Sequence, residues 1–222
     1  REVADLSAQN ISVINGSFHF EVLQKSQILG TFALKMGGQH NVENALAAIA
    51  VGLALGIDLP RIQAAIASFD GIKRRFETVF ASENKAYIDD YAHHPTELNA
   101  CIHAVRELYP EKHLTAIFQP HLYSRTRDFA EGFADALSQV DTLILMDIYP
   151  ARELPMEGVS SEMILKRVSL ADKHLANKQN VMDIVMENLD KTDVLLTVGA
   201  GDIDLFVQPI AQLLNSKNNQ HS

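Results

Sequence analysis

Cysteine is nearly absent from this sequence of 222 residues, in which Cys101 is the single example. A lone cysteine excludes an internal disulfide framework and any metal cluster that is held by cysteines alone. Cys101 lies in the stretch ELNACIHAVREL, whose apolar spacing is helical, and a buried, unreactive thiol is typical of such a position. A single cysteine also fits a protein of the reducing cytoplasm, which is where we expect this one.

Positive charge is in short supply as well. The chain has 19 lysines and arginines against 28 aspartates and glutamates, a formal net charge of -9. A protein dedicated to nucleic acid carries a basic surface, so we expect no nucleic-acid partner. An acidic surface can still surround a local basic pocket, and phosphate binding therefore stays open.

Long apolar runs and complete phosphate-binding signatures are also missing. The longest apolar run, Ala45 to Ile57, is too short and too rich in glycine and alanine for a membrane span, and the start REVADLSAQN is too polar for a signal peptide. We therefore expect no membrane partner. Neither G-x-x-x-x-G-K-[ST] nor a full G-x-G-x-x-G occurs. A first residue of arginine instead of methionine favours a piece of a longer protein, either processed or trimmed.

Strands and helices alternate from about residue 70 onward. The stretches KAYIDDY, HLTAIFQP, DTLILMDIYP and DVLLTVGAGD have the apolar character of strands, and the segments between them have helical spacing. Such alternation predicts an α/β fold, a Rossmann-like and mostly parallel sheet flanked by helices. Two strands (SFHFEVL and GTFALKM) and two helices (from Asn44 and from Leu59) precede it and predict the end of another α/β unit. We place the boundary between residues 1–68 and 69–222.

Four polar clusters follow the predicted strands: DDYAHHPTE, FQPHLYSRTRD, DIYPARE and VGAGD. In open parallel sheets, ligands bind in the crevice at the carboxyl ends of the strands. The sequence thus gathers its titratable side chains where this architecture has its binding sites.

The cluster DDYAHHPTE combines acids, histidines and a helix start. Alternation along the strand sends Asp89 and Asp90 to opposite faces. One of them, with His93 or His94, can face a nucleotide, because histidine donates to phosphate near neutral pH and a helix N-terminus favours anions. Adjacent histidines without H-E-x-x-H or a cysteine pair argue against a zinc site. Helix capping, for example by Thr96, is the alternative, but it explains one residue of the cluster.

The cluster FQPHLYSRTRD places His121, Arg125 and Arg127 after a buried strand, with Tyr123 and Ser124 between them. Arginines at a strand end are suited to clamping a carboxylate or phosphate with two hydrogen bonds. The alternative is a solvated turn in which a serine or threonine hydroxyl caps the next helix. Delivery of the segment by a buried strand favours a binding site.

Three further segments allow two interpretations each. Asn41 and Asn44 share one face of a helix start and offer the donor and acceptor that an adenine edge requires, although spacing alone favours capping. In GIKRRFE, a strand would send Arg74 and Arg75 to opposite faces, so that one reaches a phosphate or ribose; a solvated charge run is the simpler interpretation. VGAGD is half of a dinucleotide fingerprint, and a tight turn with a capping Asp202 explains it better.

These segments, in this order, resemble the Mur ligase family of bacterial cell-wall synthesis. The residues that carry the resemblance are GQHNVENALAAIAVGLALGI, FDGIKRRFE, IDDYAHHPTEL, FQPHLYSRTRDF, DIYPARE and LLTVGAGDI, which together extend from Gly38 to Ile203. The resemblance implies that residues 1–68 are the C-terminal part of a central ATP-binding domain. It implies that residues 69–222 are the C-terminal Rossmann-like domain. The UDP-sugar domain, the P-loop and the main magnesium ligands would then lie upstream, and this piece alone would be inactive.

The implied reaction joins a carboxylate to an amine at the expense of ATP, with Mg²⁺ as the metal. ATP phosphorylates the carboxylate, and the amine then displaces phosphate from the acyl phosphate. The resemblance is greatest to members that join L-alanine to UDP-N-acetylmuramate, so the implied partners are these two molecules and ATP. Two alternatives remain: a recycling ligase that attaches a ready-made tripeptide to the same sugar, and a non-catalytic nucleotide- or amino-acid-binding module.

The resemblance also implies roles for individual residues. The implied nucleotide-binding residues are His40, Asn41 and Asn44 at the adenine and Arg75, Asp90, Tyr91 and His93 at the ribose and phosphates. Among them, Arg75 and His93 would be catalytic. The implied amino-acid-binding residues are His94, His121, Tyr123, Arg125 and Arg127, and none of the residues here would bind the metal. Leu122 stands where many members have arginine, so Arg125 carries more of the carboxylate clamp.

Overall fold

The computed structural model of the protein describes residues 5–14 and 16–220. Two compact units make up the chain. The first unit is Arg1–Ile72 with His103–Pro110, and the second unit is Lys73–Ile102 with Glu111–Ser222. Within the described residues, no helix combines the length and the apolar character that a membrane crossing needs.

The first unit joins an antiparallel sheet to two helices. Strands β1 (Leu6–Ile14), β2 (Ser17–Gln24) and β3 (Gln27–Leu34) pair in that order, and helices α1 (Gln39–Ala54) and α2 (Leu59–Ser68) follow. Alternate residues of β2 enter the core, where the rings of Phe20 and Phe32 stack with their centroids 6.0 Å apart. The two predicted strands and two predicted helices are confirmed, and β1 was missed.

The second unit contains a six-stranded sheet. Its strands are β4 (Glu77–Ala81), β5 (Ala86–Asp90), β6 (Leu114–Phe118), β7 (Thr142–Met146), β8 (Lys173–Ala176) and β9 (Val194–Val198). Their order across the sheet is β4-β5-β9-β6-β7-β8, and every neighbouring pair is parallel except β4 with β5. Strands β5, β6, β7 and β9 are buried at every residue, as near-continuous apolar strands of a parallel sheet are. The predicted mostly parallel sheet is confirmed.

Helices cover both faces of this sheet. They are α3 (Pro95–Leu108), α4 (Tyr123–Leu137), α5 (Ser161–Leu165), α6 (Val181–Asn188) and α7 (Val207–Gln220), with a 3-10 turn at Asp202–Phe206. Ile117 of β6 packs in one core cluster with residues of α6 and α7. Its neighbour Phe118 lies 5.3 Å from the ring of Phe133 in α4, on the other face. Helix α4, which follows β6, and helix α7, which follows the neighbouring strand β9, therefore lie on opposite faces of the sheet. Where two adjacent parallel strands continue to opposite faces, a crevice opens at their carboxyl ends.

The predicted strand from Arg74 is wrong over its first three residues. Strand β4 begins at Glu77, and Arg74 (φ 59°) and Phe76 (φ 50°) have left-handed backbone angles that no strand accommodates. The backbone N–H of Phe76 donates to the Asp90 carboxylate at 2.7 Å, which holds this turn against the end of β5. Alternation along a strand therefore does not decide where Arg74 and Arg75 point.

A hydrogen-bonded acid lies at the opposite, amino-terminal edge of the sheet. The Asp172 carboxylate accepts from the Thr142 hydroxyl at 2.6 Å and from Lys191 at 2.5 Å, and His174 Nε2 lies 2.9 Å away. Partial burial by itself would raise the pKa of Asp172, but the bonds from Lys191 and Thr142 outweigh it and lower the pKa to about 2. Asp172 thus ties the starts of β7 and β8 to the turn before β9.

We expect Asp172→Asn to remove an acid-dependent part of the stability. Because the folded pKa lies below the unfolded value, Asp172 stabilises the fold above about pH 4 and loses this contribution as the pH falls toward 2. Because 35% of the Asp172 side chain is exposed, solvent screening limits the effect to about 1 kcal/mol. Urea unfolding between pH 3 and 7 should therefore show a weaker pH dependence in Asp172→Asn than in wild type. The exposed Asp135→Asn on α4 is the control, and identical slopes in all three proteins would contradict the prediction.

Candidate functional site

The two acids at the end of β5 bind different groups. Asp90 accepts the backbone N–H groups of Phe76 and Ala92, both at 2.7 Å, so that its carboxylate shapes the chain on either side. Asp89 is fully buried and accepts the Thr197 hydroxyl at 2.5 Å. The two acids thus have different partners, and the predicted contact of Asp90 with a nucleotide stays a prediction.

The Arg74 side chain is hydrogen-bonded to two strand ends of the sheet. Its Nε donates to Asp89 at 3.1 Å, and its Nη2 donates to the carbonyl of Gly199 after β9 at 2.5 Å. Burial raises the pKa of Asp89, although the Thr197 hydroxyl and the Arg74 guanidinium both oppose that rise. Arg74 is therefore the structural arginine of the pair, and it crosses the carboxyl ends of β5 and β9.

The adjacent Arg75 is exposed, yet it shares the ring of Tyr91 with Arg74. The guanidinium carbons of Arg74 and Arg75 lie 5.2 Å and 5.5 Å from the centroid of that ring. Cation–π contacts of this length orient a guanidinium without neutralising it. Arg75 consequently presents its guanidinium at the edge of the sheet.

His93 is oriented by the turn that carries it. Its Nδ1 lies 3.0 Å from the Tyr91 carbonyl and 3.4 Å from the Glu97 carboxylate, two acceptors that require a proton on this nitrogen. Glu97 also accepts the backbone N–H of His93 at 3.0 Å. Burial would raise the pKa of Glu97, but this hydrogen bond and the nearby His93 outweigh it and lower the pKa. The remaining nitrogen, Nε2, is the one that a ligand can meet.

The segment after β6 extends the same edge. The ring of His121 lies 6.2 Å from that of His93 and stacks on Tyr149 at 5.6 Å, and its Nδ1 is 3.5 Å from Nη1 of Arg125. Burial lowers the pKa of His121, and the neighbouring positive charge of Arg125 lowers it further. His121 is therefore held toward its neutral form beside a cation.

These side chains form a continuous row, which we call the edge cluster: Arg75, Tyr91, His93, His121 and Arg125. It runs from the end of β5 to the first turn of α4, across the carboxyl end of β9. Two fixed arginine charges flank two imidazoles in an otherwise acidic protein. Such a row can bind an anion at either end and can stabilise negative charge that develops between them.

The remaining predicted residues of the second unit have other partners. Arg127 pairs with Asp128 at 2.7 Å, and more than half of its side chain is exposed. His94 packs edge-on against Phe129 at 4.7 Å. Tyr123 begins α4 and is half-buried. The structure thus brings His121 and Arg125 together but gives Arg127 and His94 no place in the edge cluster.

In the first unit, the predicted adenine-binding residues lie at the start of α1. Gly38 occupies the N-cap position and no side chain caps the helix, so the capping interpretation of the asparagines is wrong. Asn41 is buried and donates to the Gly37 carbonyl at 2.7 Å, and Asn44 donates to the Asn41 side chain at 3.4 Å. Asn41 therefore supports the glycine loop, while His40 and Asn44 are exposed.

Sequence reasoning missed four residues that shape this site: Glu97, Gln119, Tyr149 and Glu153. Gln119 is buried between β6 and β9, where its amide donates to Asp202 at 2.8 Å and accepts the N–H of Ile203 at 2.9 Å. Gly201 packs so closely on Gln119 and Tyr149 that a Cβ atom would overlap both side chains. The available signal was the polar cluster DIYPARE after a buried strand, which was noted without assigning residues.

The part of the chain that the structure describes contains no cluster of side chains suited to bind a metal ion. No group of three or more histidine, cysteine, aspartate or glutamate side chains there could hold a metal ion. The expected Mg²⁺ therefore has no such ligand cluster among residues 5–14 and 16–220.

Comparison with known families decides the relationship. The family described as the Mur ligase, glutamate ligase domain, matches residues 74–201, which is more than half of the chain. The chain belongs to the Mur ligase family. The match contains every member of the edge cluster, and it covers β4 to β9 of the second unit.

Individual relatives agree with this membership. The Mur ligase chain is 45% identical over 214 residues to a UDP-N-acetylmuramate–L-alanine ligase of Flavobacterium johnsoniae, covering 96% of this chain and 47% of the relative. An enzyme of the same name from Porphyromonas gingivalis W83 is 46% identical over 213 residues, covering 96% and 46%.

A solved structure agrees as well. The crystal structure of a UDP-N-acetylmuramate-alanine ligase from Thermotoga maritima superimposes with a TM-score of 0.81 at 27% identity, covering 98% of this chain and 47% of that one. The chain thus spans about half the length of the relatives it matches.

Proposed function

We propose that this chain is the C-terminal part of an ATP-dependent ligase that joins L-alanine to UDP-N-acetylmuramate. The observation that carries the proposal is the edge cluster, in which two arginines and two histidines line the carboxyl edge of a parallel sheet. The names of the relatives supply the identity of the two substrates. The cytoplasm, as the source of ATP and of nucleotide sugars, belongs to the same proposal.

The proposed reaction has two steps. A carboxylate oxygen of UDP-N-acetylmuramate attacks the γ-phosphorus of ATP, the bond to ADP breaks, and an acyl phosphate forms. The deprotonated amine of L-alanine then attacks the acyl carbon, and phosphate leaves as the amide forms. Charge spreads over the transferring phosphoryl oxygens in the first step, so catalysis consists mainly of positioning and electrostatic stabilisation.

The edge cluster divides between these two steps. Arg75 and His93, with Tyr91 beneath the guanidinium, would face the γ-phosphoryl group from the end of β5. Arg75 would supply guanidinium donors, and Nε2 of His93 would donate when the ring is doubly protonated. His121 and Arg125 would receive the amino acid, with Arg125 on its carboxylate. Arg125 is suited to this because its guanidinium lies beside His121, whose pKa is lowered by burial and by Arg125 itself.

The first unit completes the proposal. Residues 1–68 would be the end of the central ATP-binding domain, with His40 and Asn44 exposed near the start of α1 to meet the adenine. The P-loop and the Mg²⁺ ligands would belong to the upstream half that the relatives carry. The 222-residue piece would accordingly have no ligase activity by itself.

The test begins with the coding sequence upstream of Arg1, followed by expression of the whole product. Phosphate release is measured with UDP-N-acetylmuramate and ATP, in parallel with L-alanine, with the tripeptide, and with no acceptor. The proposal requires an upstream P-loop and release that depends on L-alanine. Release only with the tripeptide would replace it by the recycling ligase, and no release at all would leave a nucleotide- or amino-acid-binding module.

A further inference from the structure

The loop that follows β7 is bonded along the segment that follows β6. The N–H of Tyr149 donates to the Pro120 carbonyl at 2.8 Å, and the N–H of Leu122 donates to the Tyr149 carbonyl at 2.9 Å. The stacked rings of His121 and Tyr149 lie directly beside these bonds. We call residues 147–153 the framing loop, because its backbone fixes the course of the segment that carries His121.

Glu153, the last residue of the framing loop, is hydrogen-bonded to the first turn of α4. One oxygen of its carboxylate accepts the backbone N–H of Ser124 at 2.9 Å, and the other oxygen accepts the Ser124 hydroxyl. These bonds, with a further one from the backbone of Tyr123, outweigh slight burial and lower the pKa of Glu153. The carboxylate is thus charged and bonded to the first turn of α4.

Helix α4 needs this outside contribution. Its N-cap residue is Leu122, which has a left-handed φ of 70° and has no side-chain oxygen to accept the N–H groups of the first turn. A serine, threonine or aspartate normally satisfies these donors. Glu153 satisfies those of Tyr123 and Ser124 from another loop, and its negative charge matches the positive end of the helix dipole.

The same turn carries the groups assigned to the amino acid. Arg125 follows Ser124 directly, and its guanidinium lies against the imidazole of His121. A change in the direction of the first turn would therefore move Arg125 relative to His121. Glu153 is positioned to prevent that change while remaining outside the edge cluster itself.

We propose that Glu153 is a positioning residue that acts through Ser124 to hold Arg125 and His121 in the geometry that binds the amino-acid substrate. The inference rests on the proposed function, because it assigns the amino acid to these two residues. Glu153 is the last residue of the cluster DIYPARE, and sequence reasoning assigned no residue of that cluster a role in the site.

The kinetic test uses the full-length ligase with Glu153→Ala and Glu153→Gln, and the exposed Glu157→Ala of the neighbouring turn as the matched control. Misdirection of Arg125 should raise the KM for L-alanine about tenfold in Glu153→Ala, with the KM values for ATP and UDP-N-acetylmuramate within twofold of wild type. Glu153→Gln keeps one acceptor oxygen and should fall between. Ser124→Ala combined with Glu153→Ala should be less than additive, because both remove one interaction.

A second measurement does not depend on the ligase reaction. The His121 imidazole is titrated by NMR, where Glu153 raises the pKa while burial, Arg125 and His93 lower it. Glu153→Gln removes the charge but keeps an acceptor oxygen, so it should lower the pKa of His121. Glu153→Ala, in which Arg125 also moves relative to His121, should give a different pKa from Glu153→Gln, and Glu157→Ala should leave the wild-type pKa unchanged. Phosphate release by the wild-type ligase that does not depend on L-alanine would contradict the proposed function and would leave the role of Glu153 to the His121 titration. Equal His121 pKa values in Glu153→Gln and Glu153→Ala, or KM values that all rise together with a lower Tm, would overturn the role of Glu153.

Discussion

Arg74→Met should destabilise the chain by about 3 kcal/mol, whereas Arg75→Met, one residue further on, should cost less than about 1 kcal/mol. Removal of Arg74 leaves the fully buried carboxylate of Asp89 without its cation and the Gly199 carbonyl without its donor. An uncompensated buried charge is among the most costly defects in a folded protein. Arg75 is exposed, and its contact with the Tyr91 ring is a surface interaction of small energy.

Urea unfolding of the 222-residue chain at pH 8 measures both values, and Arg74→Lys, which keeps the charge without the planar fork, should lie between. The defect should also depend on pH. Loss of Arg74 removes an attraction to the ionised carboxyl, so the pKa of Asp89 rises further above its unfolded value. An acid with a raised folded pKa regains stability as the pH falls through that pKa, and the defect should be smaller at pH 5. Equal unfolding of Arg74→Met and Arg75→Met would show that the buried ion pair has no such role.

His93→Ala should lower kcat of the full-length ligase about 100-fold with little loss of stability. The reason is the fixed orientation of the ring, which commits Nδ1 to the Tyr91 carbonyl and directs Nε2 toward the transferring phosphoryl group, where the doubly protonated imidazolium donates a hydrogen bond. The loss of one such preorganised donor falls on the transition state. The KM for L-alanine should therefore change much less than kcat.

His103→Ala, an exposed histidine of α3, is the control for His93→Ala. His93→Gln can place an amide N–H near the same position and should recover part of the rate. Steady-state rates are compared at a temperature below the Tm of every variant, so that loss of folded enzyme is not counted as loss of catalysis. A kcat within threefold of wild type in His93→Ala would remove His93 from the catalytic assignment.

The parallel sheet was predictable because its strands are unusual in sequence. Stretches such as LTAIF and TLILM are apolar at every position, which is typical of strands buried on both faces. Strand β1 escaped notice because Ile11, Val13 and Ile14 are exposed, so its residues do not alternate. The short strand β8 has the same difficulty, since it is a half-exposed edge of four residues.

The candidate site was predictable in its place but only partly in its members. The rule that ligands bind at carboxyl ends of strands found His93, His121 and Arg125, which the fold brings together. It could not separate Arg74 from Arg75, because their roles follow from a left-handed turn that the Asp90 carboxylate holds. Glu153 was invisible for a related reason: its partner, Ser124, lies 29 residues away in sequence.

The measurement that tests the central claim most directly follows an oxygen atom. The full-length product is incubated with ATP, L-alanine and UDP-N-acetylmuramate that carries ¹⁸O in its carboxylate, and the released phosphate is examined by ³¹P NMR. An acyl-phosphate ligase must transfer one labelled oxygen to each phosphate. Labelled phosphate, formed only when L-alanine is present to release it, is the result we predict. Phosphate without label would contradict the account, because the phosphoryl group would then have passed to water and not to the carboxylate.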